Sequence, residues 1–329
     1  MQAHGGLLTA SDLASYRPCE RTPLVTQYCD HTVVGFPPPS SGGIHVAQML
    51  HILQQFPLDE WFERDSARCA HVIIEAMKLA FADRAHWLGD SDFVRVPRGL
   101  MHPDYGRNLA KRIDLERARP VPQAGLPPDA ATDVFSKHTT HVAAADAAGN
   151  WVALTATINT SFGSKVIVPG TGILLNNEMD DFAVEPGVPN AFGLVGAEAN
   201  AVEPGKRPLS SMSPTIVLRQ GEPVFTVGAA GGPTIISQVL LAIVRQLNGR
   251  MSAAEALSGA RFHHQWSPDV VRLEESASAE MKRELKARGH TLEEVLRMGV
   301  SQAIAWDSQR RLFVGVSDPR VPGLAAGPR

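Results

Sequence analysis

The sequence predicts an α+β protein. Apolar residues recur at helical spacing in its first third, and short extended runs separated by Gly, Asn and Asp turns fill the region after residue 139. Between them, residues 121–137 form a connection rich in Pro, Gly, Ala and Asp, with Pro122, Pro127 and Pro128 and no apolar periodicity. That connection is the best internal boundary, with a mainly helical segment 1–138 before residue 139 and a strand-rich segment 139–329 after it.

Taken in order, residues 24–27 and 31–36 read as extended runs, broken by Pro37-Pro38-Pro39-Ser40-Ser41-Gly42-Gly43. Such a cluster is loop chemistry, because prolines lack the backbone donor and glycines tolerate positive φ. A helix follows, carried by Ile44, Val46, Ala47, Met49, Leu50, Ile52 and Leu53, and a second spans 67–87 on Val72, Ile73, Ala76, Leu79, Ala80 and Ala85. The chain to about residue 115 reads as mainly helical. Residues 139–145 and 151–159 form a predicted hairpin around the turn Asp146-Ala147-Ala148-Gly149-Asn150. Strands are expected at 214–219 and 223–227, helices at 234–247 and 279–288 with Gly289 as the stop, and strands at 302–306 and 312–316. No internal repeat is present.

Composition excludes several functions. Among 329 residues, 44% are hydrophobic and 20% charged, and 31 Lys+Arg against 34 Asp+Glu leave a formal charge of −3, without the basic footprint of a nucleic-acid binder. The densest apolar stretch, 239–244, falls well short of the roughly 18 residues a membrane span requires. Cys19, Cys29 and Cys69 are too few and too far apart for a disulfide framework or a zinc set; a Cys19–Cys29 bridge and three free thiols are both open. No basic, apolar and small-residue leader follows Met1, so the expectation is a cytosolic protein or a missing true N-terminus.

Three features could carry chemistry. If Asp146 pairs with Trp151, Thr140 faces Thr157, with Thr139 beside it. A threonine hydroxyl needs a base, and a threonine at the head of a chain has one in its own α-amino group, with a pKa of about 7.7–8.0. Threonines equally decorate solvated strand faces. The small-residue run Val227-Gly228-Ala229-Ala230-Gly231-Gly232-Pro233 lies between a strand and a helix, where its N–H groups could hold an anion or oxyanion, although glycines there are often only structural. Asn176-Asn177-Glu178-Met179-Asp180-Asp181 and Ser210-Ser211 could hold the ammonium and carboxylate of an amino acid, or serve as caps and turns. His263-His264 lacks metal-ligand spacing and reads as packed or surface histidines.

Together these segments resemble the γ-glutamyltranspeptidase family of N-terminal-nucleophile hydrolases. The resemblance rests on the Pro37–Gly43 run, Thr139-Thr140-His141, Gly149-Asn150, Thr157-Ile158-Asn159, the run from Gly172 to Phe182, that from Lys206 to Pro214, Gly231-Gly232, Arg261-Phe262-His263-His264-Gln265 and Ser317-Asp318-Pro319-Arg320. It implies an αββα sandwich, incomplete at its N-terminal side, and a precursor that cuts itself between His138 and Thr139 into a heterodimer of large and small subunits. It further implies that Thr139 attacks the γ-glutamyl carbonyl of glutathione or a related amide, with Thr157 orienting it and Gly231 and Gly232 forming the oxyanion hole. Asn159, Glu178 and Asp181 match positions holding the substrate α-amino end, and Ser210 and Ser211 those holding its α-carboxylate. Water or an amino-acid or peptide acceptor resolves the acyl-enzyme, with no metal or organic cofactor, in a periplasmic or extracellular setting.

The sequence also departs from the family. Resemblance begins at Gly5-Gly6-Leu7, so the signal or anchor, part of the sandwich and an arginine that grips the α-carboxylate are expected to be missing. Phe192 stands where several bacterial members have a lid tyrosine, which removes one hydrogen bond, worth on the order of 1 kcal/mol. Two alternatives accompany the main reading. One is a cephalosporin (glutaryl) acylase of the same fold, disfavoured by Asn159, Glu178 and Asp181, which would have no ammonium to bind. The other is an inactive or partner-dependent fragment.

Overall fold

The computed structural model describes residues 5–128, 141–183, 185–190 and 192–327. A six-stranded antiparallel sheet organises them, in the order β1 (Leu24–Tyr28), β2 (His31–Gly35), β5 (Thr215–Arg219), β6 (Glu222–Ala230), β10 (Val300–Asp307) and β11 (Leu312–Ser317). β2 pairs with β5 from His31↔Arg219 to Gly35↔Thr215, so the segments before and after residue 139 share one sheet. Cutting the chain between them would leave both halves held by this ladder and by a common core.

One face of the sheet carries the helices. α2 (Gly42–Leu53) is buried along its whole length and packs on β1, β2, α4 (Ser66–Trp87) and α6 (Thr234–Leu247). Phe225, Val227 and Ala229 of β6 join the core cluster that includes Met49, Leu50, Ile236 and Leu240, all essentially solvent-free. Each such large side chain contributes roughly 1.5–3 kcal/mol by leaving water. Asp65 caps α4, its carboxylate accepting from the Arg68 N–H at 2.9 Å. Short helices α1 (Ala10–Ser15), α3 (Leu58–Arg64) and α5 (Pro103–Ala110) fill the first segment.

The other face carries the hairpin of β3 (His141–Ala145) and β4 (Trp151–Thr155), which stacks on β6 and β10. Gly228 makes this approach possible, because a Cβ there would sit 2.1 Å from His141 Nδ1. Trp151 meets Phe313 of β11 edge-on at 5.5 Å, while the outer residues Val142, Val152 and Leu154 remain about half exposed. The described chain is thus a helix layer, a full sheet and a two-stranded second sheet, in keeping with the N-terminal-nucleophile α+β class. A C-terminal lobe adds α7 (Ala253–Ser258), β7 (Phe262–His263), β8 (Val271–Glu274), α8 (Ala279–Ala287) and β9 (Leu292–Val295), with β8 and β9 parallel.

Three expectations are corrected. Trp151 pairs with Ala145, not Asp146: the Asp146 N–H donates to Asn150 O at 3.1 Å, its carboxylate accepts from the Ala148 and Asn150 N–H groups, and Gly149 takes φ +85° to close the turn. The register therefore runs to His141↔Thr155, and a Thr140–Thr157 pair lies outside the described residues. β4 ends at Thr155 rather than 159, because Thr157 Oγ1 accepts from the Asn159 N–H at 2.8 Å and Asn159 turns to φ +73°. β6 runs on to Ala230, since β10 pairs with it as far as Val300↔Ala230, leaving only Gly231-Gly232-Pro233 as the turn into α6.

Candidate active site

A cavity of about 80 Å³ opens where four loops meet at the end of the sheet. Thr157 and Asn159 come from the turn after β4, Asp181 from the 3₁₀ turn Glu178–Asp181, Ser210 and Ser211 from the approach to β5, and Gly231 and Gly232 from the β6–α6 turn. Phe192 and Leu194 close the remaining side. Of the residues singled out by sequence, Glu178 does not line this cavity; it is half-buried at the start of the turn that ends in Asp181. Thr139 and His138 lie outside the described residues.

Asparagines hold the loops together. Asn159 Nδ2 donates to Asn177 O at 3.0 Å, and Asn177 Oδ1 accepts from the Thr160 N–H and hydroxyl, both at 3.1 Å. Asn177 Nδ2 donates to Asp180 Oδ2 at 2.6 Å, tying the Thr157 turn to the acidic turn. Asn200 Nδ2 donates to Asp181 O at 2.8 Å while its Oδ1 accepts from the Leu209 N–H at 2.9 Å, joining the acidic turn to the serine loop.

The Pro37–Gly43 run backs the serine loop. Ser41 N donates to Ser210 O at 2.9 Å and Ser210 N to Pro39 O at 2.8 Å, with the Ser40 hydroxyl on Met212 O at 2.6 Å. A Cβ at Gly42 would fall 2.0 Å from Met212 O, so the two strands of loop lie this close only around glycine. Behind them lies Arg84, 4% exposed in the last turn of α4, donating from Nε to Ser41 Oγ at 2.9 Å and from Nη2 to Ser211 Oγ at 3.2 Å. Burial pulls its guanidinium down to about 10, opposed by the negative charge of Asp181. The cavity therefore has a cationic wall behind the serines and a carboxylate at Asp181, the polarity that suits an α-amino acid.

At the glycine turn, Gly231 takes φ +139° and Gly232 φ +59° at the N-terminus of α6. Among the described residues neither N–H has an acceptor, and the helix dipole favours negative charge there. The turn is braced by Thr234 Oγ1 on Gly231 O at 2.8 Å and by Gln238 Nε2 on Ala230 O at 3.1 Å. The Phe192 ring covers it, and a Cβ on Gly232 would meet that ring at 2.9 Å. Gln265 fixes the covering loop by donating to Gly193 O at 2.9 Å. His141, beside β6, is pushed by burial down to about 4 and stays neutral.

Sequence reading missed Arg84, Ser41 and Asn200. Arg84 carried a signal, since it continues the i, i+4 row Ala76–Ala80 of the apolar stripe, where a charged side chain must be buried. The Ser41 bond to Ser210 joins residues far apart in sequence, and the Asn200 bonds to Asp181 and Leu209 bridge separate turns; neither follows a local pattern. His263 and His264 are packed in the interior, and all three cysteines are free. His71, Glu75 and His290 offer one metal-ligand atom each within 4.8 Å, but Lys78 Nζ already stands 3.1 Å from Glu75, and His71 bonds His290 at 2.7 Å. That cluster is not part of the cavity. No helix among the described residues is long and apolar enough to cross a membrane.

Comparison with known proteins places this geometry. The glutathione hydrolase proenzyme of Escherichia coli is 44% identical over 329 residues, covering 99% of this chain and 56% of that protein. The acylase ACY 1 proenzyme of Pseudomonas sp. SE83 is 38% identical over 310 residues, covering 93% of this chain and 52% of its own. Among solved structures, a cephalosporin acylase from Bacillus halodurans superposes with a TM-score of 0.85 at 29% identity, across 99% of this chain and 56% of that one. The chain thus spans little more than half the length of these relatives. The family profile described as Gamma-glutamyltranspeptidase matches residues 1–327, and the chain belongs to that family.

Proposed function

We propose that this chain supplies the catalytic centre for transfer and hydrolysis of γ-glutamyl groups, with glutathione and related γ-glutamyl amides as substrates. The observation that carries the reading is the meeting, in one cavity, of Thr157, the Gly231-Gly232 turn, Asp181 with Asn159, and the Ser210-Ser211 pair backed by Arg84. The substrate ammonium faces Asp181 and its α-carboxylate faces the serines. The γ-carbonyl oxygen then falls to the N–H groups of Gly231 and Gly232, which are already oriented when charge develops there.

The nucleophile is Thr139, freed by cleavage of the His138–Thr139 peptide, with its own α-amino group as base. Attack forms an oxyanion, the amine leaves with the proton taken from the hydroxyl, and a Thr139 ester remains. Water resolves it to glutamate; an amino acid or peptide acceptor resolves it to a new γ-glutamyl amide, giving ping-pong kinetics. The large piece 1–138 and small piece 139–329 stay associated through the β2–β5 ladder.

The acylase relatives favour a second reading, cleavage of glutaryl amides. Asp181 in the cavity wall supports the γ-glutamyl reading, because a glutaryl group brings no ammonium to offset that carboxylate. Hydrolysis of γ-glutamyl and glutaryl p-nitroanilides by the purified chain separates the two. A γ-glutamyl preference of tenfold or more is expected; a glutaryl preference overturns it, and no turnover of either favours a fragment that works only with a partner.

A further inference from the structure

Arg84 is buried in an unusual way. Its guanidinium has no carboxylate within 4.0 Å among the described residues, although a buried cation normally needs a counter-charge. Its recorded partners are two hydroxyls, Ser41 Oγ and Ser211 Oγ. An arginine can only donate, so each hydroxyl receives its N–H on a lone pair and must send its own proton elsewhere. Ser41 sends its proton to Ser210 O at 2.5 Å. Ser211 has no acceptor for its proton among the described residues, and it lines the cavity. Ser210 is in the same position: its Oγ accepts from the Met212 N–H at 3.2 Å and its proton has no acceptor among the described residues.

Two hydroxyls that each already accept one hydrogen bond, and whose protons have no acceptor among the described residues, therefore face one cavity, with a cation behind them. Asp181 raises the guanidinium's affinity for its proton from a distance but lies beyond ion-pair contact. The cavity thus presents the Arg84-backed hydroxyls on one side and the Asp181 carboxylate on another. Building on the γ-glutamyl reading, we infer that Arg84 is the positioning residue of the carboxylate subsite: it turns the Ser211 hydroxyl toward the cavity as a donor and supplies the charge that selects an α-carboxylate. It acts through the serines and need not touch the ligand.

The test compares two ligands that differ only in that carboxylate, L-glutamate and 4-aminobutanoate, by calorimetric titration of the full chain. The unsubstituted chain is expected to bind L-glutamate at least 30-fold tighter. Arg84→Met should cut this preference to below threefold while changing 4-aminobutanoate affinity by less than twofold, and Arg84→Lys should restore part of it. Equal losses on both ligands would mark Arg84 as a mere brace and overturn the inference, as would a preference that Arg84→Met retains. An unsubstituted chain with no preference overturns the γ-glutamyl reading and this inference with it. If circular dichroism shows Arg84→Met unfolded, Ser41→Ala serves instead: it releases Nε from its acceptor and should lower the preference at least threefold, whereas an unchanged preference overturns the inference.

Discussion

Mild acid should unfold this protein, and the size of the effect follows from four histidines. Burial pushes the imidazoles of His45, His263 and His290 down to about 3 and that of His141 to about 4. In the unfolded chain each returns to about 6.5. A folded-state value below the unfolded one means the neutral ring is preferred in the fold, so the stabilisation is complete above pH 6.5 and is lost as pH falls toward 3–4. Below 6.5 the unfolded chain takes up protons that the folded chain refuses, at about 1.4 kcal/mol per pH unit for each ring. Between pH 6.5 and 5 that amounts to about 2 kcal/mol per histidine and about 8 kcal/mol for the four, against a usual total stability of about 5–15 kcal/mol. Glu75 and Asp83, whose carboxyls burial holds up, pull the other way and offset part of it. Urea unfolding of a Thr139→Ala chain, followed by tryptophan fluorescence from pH 7.5 to 5, should lose at least 4 kcal/mol below pH 6.5 and little above pH 7. Constant stability across that range would refute the assignment of these rings as buried and neutral.

Other consequences can be measured separately. In Gly231→Ala a Cβ would meet Thr234 Oγ1 at 2.6 Å and Gly299 Cα at 3.0 Å, at a φ of +139°. The displaced turn should lower kcat on a γ-glutamyl anilide by roughly 10²–10³ with little change in KM, and a loss below threefold would remove the turn from the oxyanion site. Asp181→Asn removes the carboxylate expected to meet the ammonium and should raise KM on that substrate by roughly 10–100-fold, with glutaryl anilide hydrolysis unaffected or improved. Arg261 donates to Asp318 at 2.5 Å, Met298 O at 2.8 Å and Ser301 Oγ at 3.1 Å in the interior. Arg261→Ala leaves Asp318 with Arg320, 3.3 Å away, as its remaining cation and removes the bonds to Met298 O and Ser301 Oγ; it should cost about 1.5–3 kcal/mol in chemical denaturation, and a cost under 1 kcal/mol would mean water replaces Arg261 at Asp318.

Legibility from sequence divides along the range of the interactions. α2, α4 and α6 were readable because each is a long, mostly apolar run that the fold buries over most or all of its length, and α8 because Gly289, at φ +91°, follows its end. The hairpin was readable from its turn, but its register depended on which groups the Asp146 backbone and carboxylate bonded, a choice of one residue that composition does not make. β6 outran its predicted end because its partner β10 lies some seventy residues on and continues the ladder through Gly228-Ala229-Ala230. The parallel β8–β9 pair and the grouping of Asp181, Ser211 and Gly232 in one cavity depend on the tertiary fold. Only the resemblance of the whole set of motifs brought those residues together before the structure did.

The most direct measurement is the intact mass of the expressed chain beside a Thr139→Ala control. Self-cleavage predicts two species in the unsubstituted protein, residues 1–138 and 139–329, still co-purifying through the shared sheet, and a single uncut species in the control. An unsubstituted chain that stays whole would contradict Thr139 as a nucleophile matured by this polypeptide itself.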